Sequence, residues 1–227
     1  AATGRAVTYA QLHAGVQAVA ANLVARGLRP GDVFSLFSPN VPEYPIASLG
    51  IQLAGGIPTT ANPVYTAEEL HHQLTDSGAT RLLTVPAFLD KAREAAAGTA
   101  VAEIWVFGEA PGALPFSDLL APAPPAPAHE PGLDDGIALP YSSGTTGVAK
   151  GVMLTHRSMV AALCQIVEME QTHYDDVTIA FLPFFHIYGQ QVILNCGLRQ
   201  GSTLIVMSRF DFEGFCRAVQ QYRVTRL

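Results

Sequence analysis

One short polar stretch carries most of the residues that could bind a charged ligand. It reads YSSGTTGVAKG, spans residues 141–151 and follows an apolar run. Its three glycines allow tight turns and a close approach of the backbone to a ligand, and consecutive N–H groups in such turns bind anions. Four hydroxyl side chains add further donors, namely Ser142, Ser143, Thr145 and Thr146. The stretch therefore predicts a binding site for a polyphosphate.

The lysine in this stretch is unusual for the chain, which has eleven arginines and only two lysines, Lys91 and Lys150. A lysine ammonium is a mobile point charge on a long stem, whereas arginine presents a rigid planar fork. We therefore expect Lys150 to contact a phosphate that moves or leaves during a reaction.

The spacing of these residues is not that of a P-loop, which requires G-x-x-x-x-G-K-[ST] leading into a helix. Counted from Gly144, the second glycine falls on Ala149, and Gly151 stands where a hydroxyl residue is needed. A plain flexible turn is the other interpretation, because clusters of Gly, Ser and Thr often form turns. Composition alone leaves both interpretations open.

The bulk composition excludes several classes of protein. The chain has 227 residues, about half of them apolar and 14% charged, which is typical of a packed domain and not of a disordered chain. The net charge is −6 without a basic stripe, which argues against nucleic acid as a partner. No apolar run reaches the roughly 20 residues of a membrane span, and we expect no signal peptide. We expect a cytoplasmic protein, and the Ala-rich, Arg-over-Lys composition suggests a GC-rich bacterial source.

The three cysteines, Cys164, Cys196 and Cys216, form no CxxC pair and are odd in number. They predict buried thiols in a reducing cytosol, not a disulfide framework or a zinc site.

The first half of the chain alternates helices and strands. Helices open on capping boxes at Thr8 and Thr66, and glycines end them. Apolar strands are predicted at 32–38, 57–62, 79–85 and 102–108. Strands separated by helices of this length form βαβ units, so the predicted class is α/β, with parallel sheets flanked by helices.

We divide the chain into a first α/β segment at residues 1–119, a Pro/Ala-rich connector at 120–133 and a second α/β segment at 134–227. The second segment contains predicted strands at 136–143, 151–155, 177–183 and 202–208. Helices are predicted from Thr155 to about Glu170, at 190–199 and after Asp211. The chain stops at what looks like the start of a strand, so we expect it to be a piece of a longer protein.

The order of residues in the polar stretch resembles a known signature. YSSGTTGVAKGVMLTH, residues 141–156, is similar to the phosphate-binding motif of the adenylate-forming superfamily, which includes acyl-CoA synthetases, firefly luciferase and peptide-synthetase adenylation domains. Ala149 departs from the usual proline. FLPFFHIYG, residues 181–189, resembles the second block of that superfamily, and residues 8–63 also look like it. The chain thus resembles part of the large N-terminal domain of an adenylate-forming enzyme, closest to 4-coumarate–CoA ligases and their bacterial relatives.

This resemblance implies ATP-dependent activation of a carboxylic acid, aryl or hydroxycinnamate-like or medium-chain, to an acyl-adenylate, followed by thioester formation with coenzyme A. It implies that His186 lies beside the α-phosphate, that His186 and Tyr188 line the acyl pocket, and that Lys150, Thr145 and His186 are catalytic. The implied phosphate-binding residues are Ser142, Ser143, Gly144, Thr145, Thr146, Gly147 and Lys150. ATP, Mg²⁺ and coenzyme A are the implied cofactors. The family's acidic metal ligand lies downstream of Leu227, so no metal ligand is expected in this chain.

Several other residues are expected to be structural. His71 and His72 are adjacent on a predicted helix, so their side chains diverge and a metal pair is not expected. Cys164 is predicted to lie in the core, and so is the stripe of Phe212, Phe215 and Tyr222. Ordinary packing is also the alternative interpretation of His186 and of Tyr188.

Two other functional classes remain open. One is a non-catalytic module that binds a nucleotide or an acyl-adenylate. The other is a Rossmann-type NAD(P) enzyme, although no G-x-G-x-x-G follows any predicted strand. Because the family's adenine-contacting block and C-terminal lysine lie beyond Leu227, we expect residues 1–227 alone to be inactive.

Overall fold

A five-stranded parallel sheet forms the centre of the first half of the chain. The structure, a computed structural model, describes residues 4–125, 130–143 and 148–227, with only the backbone of Ser143. The strand order is β2-β1-β3-β4-β5, and every pairing is parallel. The strands are β1 Val33–Phe37, β2 Ile57–Ala61, β3 Arg81–Thr84, β4 Glu103–Val106 and β5 Leu114–Pro115. The predicted α/β class with a parallel, helix-flanked sheet is confirmed.

Four helices connect and cover these strands. They are α1 Tyr9–Ala25, α2 Tyr44–Leu53, α3 Ala67–Ser77 and α4 Leu89–Ala96, with 3₁₀ turns at Pro86–Phe88 and Phe116–Leu120. Both predicted capping boxes are formed, at the N-termini of α1 and α3. In each, the threonine hydroxyl and the side chain three residues later satisfy backbone N–H groups that have no partner within the helix.

The two faces of the sheet pack against different pairs of helices, because successive strand residues point to opposite sides. Leu36, Leu83 and Trp105 lie in one cluster with α1 and α2. The residues of the other face pack against α3 and α4, and Phe37 and Leu82 belong to that second cluster. The sheet is therefore buried on both sides, as expected for parallel strands.

The second half of the chain adds two antiparallel pairs and one parallel pair. Strand β6 Gly136–Ala138 pairs with β9 Leu154–Thr155, and β7 Tyr141–Ser143 pairs with β8 Ala149–Gly151. Strands β10 Val177–Ala180 and β11 Thr203–Val206 are parallel. The helices here are α5 His156–Glu170, a π-helical segment at Gly189–Asn195, α6 Cys196–Gln200 and α7 Phe212–Tyr222.

The predicted strand at 136–143 is divided in two by Pro140, which cannot donate a ladder hydrogen bond. Between the two strands, the Leu139 N–H donates to the Pro58 carbonyl and the Val152 N–H donates to the Pro140 carbonyl, so backbone pairing continues on both sides of the interruption. The predicted strand at 151–155 is likewise divided between β8 and β9. The predicted helix at 190–199 is present, but its first part is π-helical.

Two predictions about the core are wrong. Cys164 and Cys216 are exposed, and only Cys196 is buried. In α5 only Met159 is buried, although the helix packs against the π-helical segment and α6. Phe212 is 70% exposed, because the packed stripe of α7 begins one turn later, at Phe215.

In the described ranges, no helix combines the length and the apolar composition that crossing a membrane requires.

Candidate active site

The hairpin of β7 and β8, which we call the phosphate hairpin, carries the described part of the polar stretch. Its register places Ser142 opposite Lys150 and Tyr141 opposite Gly151. Residues that face each other in an antiparallel pair share one side of the hairpin, so the Ser142 hydroxyl and the Lys150 ammonium project together. Both residues are exposed. The other predicted phosphate ligands lie outside the described residues, namely Gly144, Thr145, Thr146, Gly147 and the side chain of Ser143.

The two lysines of the chain occupy contrasting environments. Lys91 donates to the Tyr65 carbonyl at 2.8 Å, and its ammonium lies 5.7 Å from the centre of the Phe37 ring. Lys150 is exposed, and none of the described residues forms an ion pair or hydrogen bond with its ammonium. Lys91 is thus engaged in packing, whereas the charge of Lys150 is available to an anion.

Two side chains of helix α3 contact the phosphate hairpin. The Tyr141 hydroxyl donates to Asp76 at 2.5 Å, and His72 Nε2 lies 3.3 Å from the Ala149 carbonyl oxygen. Burial, and next the hydrogen bond to Asp76, raise the pKa of the Tyr141 phenol. The predicted divergence of the two neighbouring histidines is present, since His71 Nδ1 lies 2.9 Å from the Ala95 carbonyl oxygen. His72 was expected to be merely structural, but it contacts the hairpin.

His186 lies in an exposed turn that leads into the π-helical segment. The backbone N–H of Tyr188 donates to His186 Nδ1 at 3.2 Å, and the N–H of Gln190 donates to the His186 carbonyl at 2.9 Å. A ring nitrogen that accepts a hydrogen bond carries no proton, so the neutral ring carries its proton on Nε2. His186 can therefore donate one hydrogen bond from Nε2 to an oxygen of a ligand. Tyr188 is 49% exposed beside it.

Asn40 fixes the segment before His186. Its side-chain amide donates to the carbonyls of Ala180 at 3.3 Å and Leu182 at 2.9 Å, and its oxygen accepts the N–H of Phe184 at 2.7 Å. Helix α2 begins only at Tyr44, so Asn40 lies before it and is free for this other role. Its partners are at least 140 residues away, so no local pattern identifies them.

Gly189 allows the His186 turn to pack closely on the segment that precedes it. A Cβ at this position would lie 2.1 Å from the carbonyl oxygen of Pro183. Only glycine fits there, and the π-helical segment begins at this residue. Single π turns within helices are frequent at functional sites.

Strand β2 forms hydrogen bonds with the residues that precede the phosphate hairpin and with the His186 turn. Leu139, which lies between β6 and the hairpin, donates its N–H to the Pro58 carbonyl, and the Thr60 hydroxyl donates to the carbonyl of Phe185. Ligands of parallel α/β sheets bind beyond the carboxyl ends of the strands. Strand β2 thus forms hydrogen bonds with residues next to both predicted motifs.

Comparison with known proteins was made on both sequence and structure. The sequence model of a family described as AMP-binding enzyme matches residues 1–227. The chain is 40% identical over 229 residues to 4-coumarate–CoA ligase 1 of Petroselinum crispum, covering 99% of this chain and 42% of that protein. It is 39% identical over 227 residues to 4-coumarate–CoA ligase 3 of Oryza sativa subsp. japonica, covering 98% and 41%.

Solved structures agree with this. ATP-bound MatB from Rhodopseudomonas palustris superposes with a TM-score of 0.85 at 31% identity, covering 97% of this chain and 44% of that one. The apo structure of MbtA from Mycobacterium smegmatis gives 0.90 at 29% identity, covering 96% and 42%. The chain spans less than half the length of these relatives. The expected bacterial source stays a prediction. Because the family model matches residues 1–227, the chain belongs to the AMP-binding enzyme family.

Proposed function

We propose that the full-length gene product activates a carboxylic acid with ATP to an acyl-adenylate and then transfers the acyl group to coenzyme A. Among the comparisons, the relatives named 4-coumarate–CoA ligases support this reaction. The observation that carries it is the Lys150 ammonium, which lies opposite Ser142 and has no partner among the described residues, on a hairpin next to the strand that bonds to the His186 turn.

In the first step, a carboxylate oxygen of the acid attacks the α-phosphorus of ATP. The new O–P bond forms as the bond from the α-phosphorus to the bridging oxygen breaks, and pyrophosphate leaves with the electron pair. Negative charge increases on the leaving group, so positioning and electrostatic stabilisation dominate the catalysis. Lys150 and the Ser142 hydroxyl hold the leaving pyrophosphate, together with Ser143, Gly144, Thr145, Thr146 and Gly147. We also assign a catalytic role to Thr145 here.

His186 acts on the other side of the reacting phosphorus. Its Nε2–H donates to an oxygen of the α-phosphate or of the attacking carboxylate, because Nδ1 is already engaged by the Tyr188 N–H. A neutral donor aligns the two negatively charged reactants without itself losing a proton. This role needs the turn to be rigid, and the bonds from Asn40 supply that rigidity.

In the second step, the sulfur of coenzyme A attacks the acyl carbon of the adenylate. The thioester forms, the acyl–oxygen bond to AMP breaks, and the thiol proton is released to solvent. No described residue is assigned to this step.

Tyr188 lines the acyl pocket next to His186. Its half-exposed phenol can donate to a polar group on an aryl acid, and its ring can pack against an aliphatic chain. The substrate class is therefore an aryl or hydroxycinnamate-like acid, with medium-chain acids as the second class.

Magnesium accompanies ATP in reactions of this kind. The described residues contain no group of three or more His, Cys, Asp or Glu side chains placed to hold a metal. We assign no described residue to magnesium and no step to it.

We also propose the division into residues 1–119, a connector at 120–133 and residues 134–227. The position of β5, which ends at Pro115, and of β6, which begins at Gly136, supports this division.

The test is the exchange of labelled pyrophosphate into ATP. The full-length gene product and residues 1–227 are assayed side by side with hydroxycinnamates, benzoates and medium-chain fatty acids. Lys150→Ala in the full-length protein lowers the exchange strongly, whereas Lys91→Ala serves as a matched lysine control. Exchange by the full-length protein with one acid class, and none by residues 1–227, supports the proposal and names the substrate class. Without exchange for any acid, the protein is a non-catalytic module that binds a nucleotide or acyl-adenylate.

A further inference from the structure

Two adjacent threonines of β2 form hydrogen bonds with the backbone next to each of the two motifs. The Thr59 hydroxyl donates to the carbonyl of Leu139 at 2.7 Å. The Thr60 hydroxyl donates to the carbonyl of Phe185 at 2.6 Å. Leu139 lies two residues before the phosphate hairpin, and Phe185 directly precedes His186. Neighbouring hydroxyls thus hold the backbone on which each motif is built.

Strand geometry explains how one dipeptide reaches both segments. Successive side chains of a strand point to opposite faces. Thr59 pairs with Ser35 on β1 and shares its face with Ala61, which packs in the cluster formed with α3 and α4. Thr60 pairs with Leu36, and both side chains lie on the opposite face of the sheet. Leu36 and Phe184 belong to the cluster formed with α1 and α2.

Gln73 of α3 couples the two threonines. Its side-chain amide donates to the Thr59 hydroxyl at 2.9 Å and to the Thr60 carbonyl at 3.2 Å. Because the Thr59 oxygen accepts this bond, its own proton is directed at Leu139. The three side chains are 0%, 3% and 1% exposed for Thr59, Thr60 and Gln73.

Stability alone does not account for this buried polar group. The Gln73 side-chain oxygen is buried without a hydrogen-bond partner among the described residues, which is unfavourable. Gln73 stands between α3 residues that point into an apolar cluster, including Leu70 and Leu74, where an apolar side chain would avoid that penalty. Buried polar groups with unmet bonds are uncommon in cores and are often explained by function.

We propose that Thr59, Thr60 and Gln73, which we call the threonine tether, are positioning residues that set the distance between the phosphate hairpin and the His186 turn. This inference rests on the proposed function, because it concerns the alignment of pyrophosphate with the reacting carboxylate. Small displacements of reacting groups lower the rate of the chemical step more than they lower binding.

The test uses the full-length gene product and single substitutions at the tether. Thr60→Val and Thr59→Val keep the shape of the side chain and remove its donor. We expect either variant to lower the kcat of pyrophosphate exchange by about 10-fold to 100-fold, with the KM for ATP changed by less than about 3-fold. Thr60→Ser and Thr59→Ser restore the hydroxyl and return kcat to near the wild-type value.

Thr84→Val is the matched control. Thr84 is also a fully buried threonine of the same sheet, and its hydroxyl donates to the Phe37 carbonyl at 2.7 Å. It contacts neither the phosphate hairpin nor the His186 turn through that hydroxyl. We expect this variant to lose thermal stability comparable to that of the tether variants, while its kcat below the unfolding temperature stays near wild type.

The outcomes separate the two proposals. If the wild type exchanges pyrophosphate and both valine variants retain its kcat, or lose no more than Thr84→Val loses, the tether role is overturned while the proposed function stands. If the wild type shows no exchange with any acid, the proposed function fails, and the tether role fails with it.

Discussion

Tyr141, the first residue of the phosphate hairpin, donates a 2.5 Å hydrogen bond to Asp76 near the end of helix α3. Its ring also covers Gly151 on the facing strand, where a Cβ would lie 3.1 Å from the ring. A strand pair as short as this one gains little stability from its own ladder. The hairpin that presents Lys150 is therefore held by a side chain from another layer of the fold.

Tyr141→Phe removes this bond and keeps the ring. We expect a loss of about 1 kcal/mol in the free energy of unfolding near neutral pH. Because the folded state raises the pKa of this phenol, the stability it contributes is present below the unfolded pKa of about 10 and is lost as the pH rises beyond it. Urea unfolding at pH 8 and above pH 10 checks both points, since the difference between wild type and variant shrinks at the higher pH.

The control for this prediction is Tyr174→Phe, at a tyrosine that is 80% exposed. It leaves the unfolding free energy unchanged at both pH values. An equal loss in the two variants, or a Tyr141→Phe difference that grows above pH 10, would contradict the assignment.

Gly189→Ala tests the close packing of the His186 turn. The new Cβ would overlap the Pro183 carbonyl oxygen, so either the His186 turn or the segment around Pro183 must move. We expect the full-length protein to lose at least about 10-fold in adenylation kcat, because His186 is displaced. Gly201→Ala is the comparison, since it strains a glycine at φ +78° with no crowding around it. That variant loses stability and keeps its kcat, and a similar kcat for both alanine variants would show that the turn tolerates the change.

Local patterns predicted the helix boundaries well. The capping boxes at Thr8 and Thr66 depend on residues three positions apart, and both are formed as predicted. The βαβ alternation likewise predicted the parallel sheet, because helix and strand periods are visible within short windows. The two motifs were also visible as continuous stretches, and strand β2 bonds to residues that adjoin the first and belong to the second.

Other features depend on residues that are distant in the sequence. Asn40 and Thr60 each contact the segment around His186, and the chain separations are 140 and 125 residues. Their polar character at the end of buried strands was the one available signal. Cys164 and Phe212 were predicted to be buried and are exposed. Periodicity identifies an apolar face of a helix but does not say whether another segment covers it.

Asp176 anchors the last strand-forming residues of the chain. It accepts hydrogen bonds from the His173 N–H, the Thr225 hydroxyl and the Arg226 guanidinium. These bonds, the one from His173 foremost, lower the pKa of Asp176 to about 2. A lowered carboxyl pKa contributes stability above the unfolded pKa of about 3.9, and that stability is lost as the pH falls towards 2.

Asp176→Asn therefore reduces thermal stability at pH 7 and makes it less sensitive to acid between pH 4 and about 2. Thermal unfolding across this pH range is the measurement. Asp175→Asn, at the exposed neighbouring position, is the control and follows the wild type. If the two variants had the same acid profile, the network around Asp176 would have no role in stability.

Asn40→Asp is the sharpest test of the segment before His186. The substitution keeps the shape of the side chain but removes both amide donors, leaving the carbonyls of Ala180 and Leu182 without their partner. Asn40 is buried, so a carboxylate there is poorly solvated and faces two carbonyl oxygens. We expect a loss of at least about 1–3 kcal/mol in the free energy of unfolding at pH 7.

The pH dependence identifies the cause of that loss. Burial disfavours the charged form and raises the pKa of an introduced carboxyl group, so the group is protonated more readily in the folded state than in the unfolded state. The deficit of Asn40→Asp relative to wild type therefore shrinks as the pH falls from 7 towards 5, whereas the deficit of Asn40→Ala, which introduces no charge, stays constant. Urea unfolding of both variants at the two pH values measures this. A pH-independent deficit in Asn40→Asp would mean that water reaches the introduced carboxylate. Asn40 would then not lie in a site from which water is excluded.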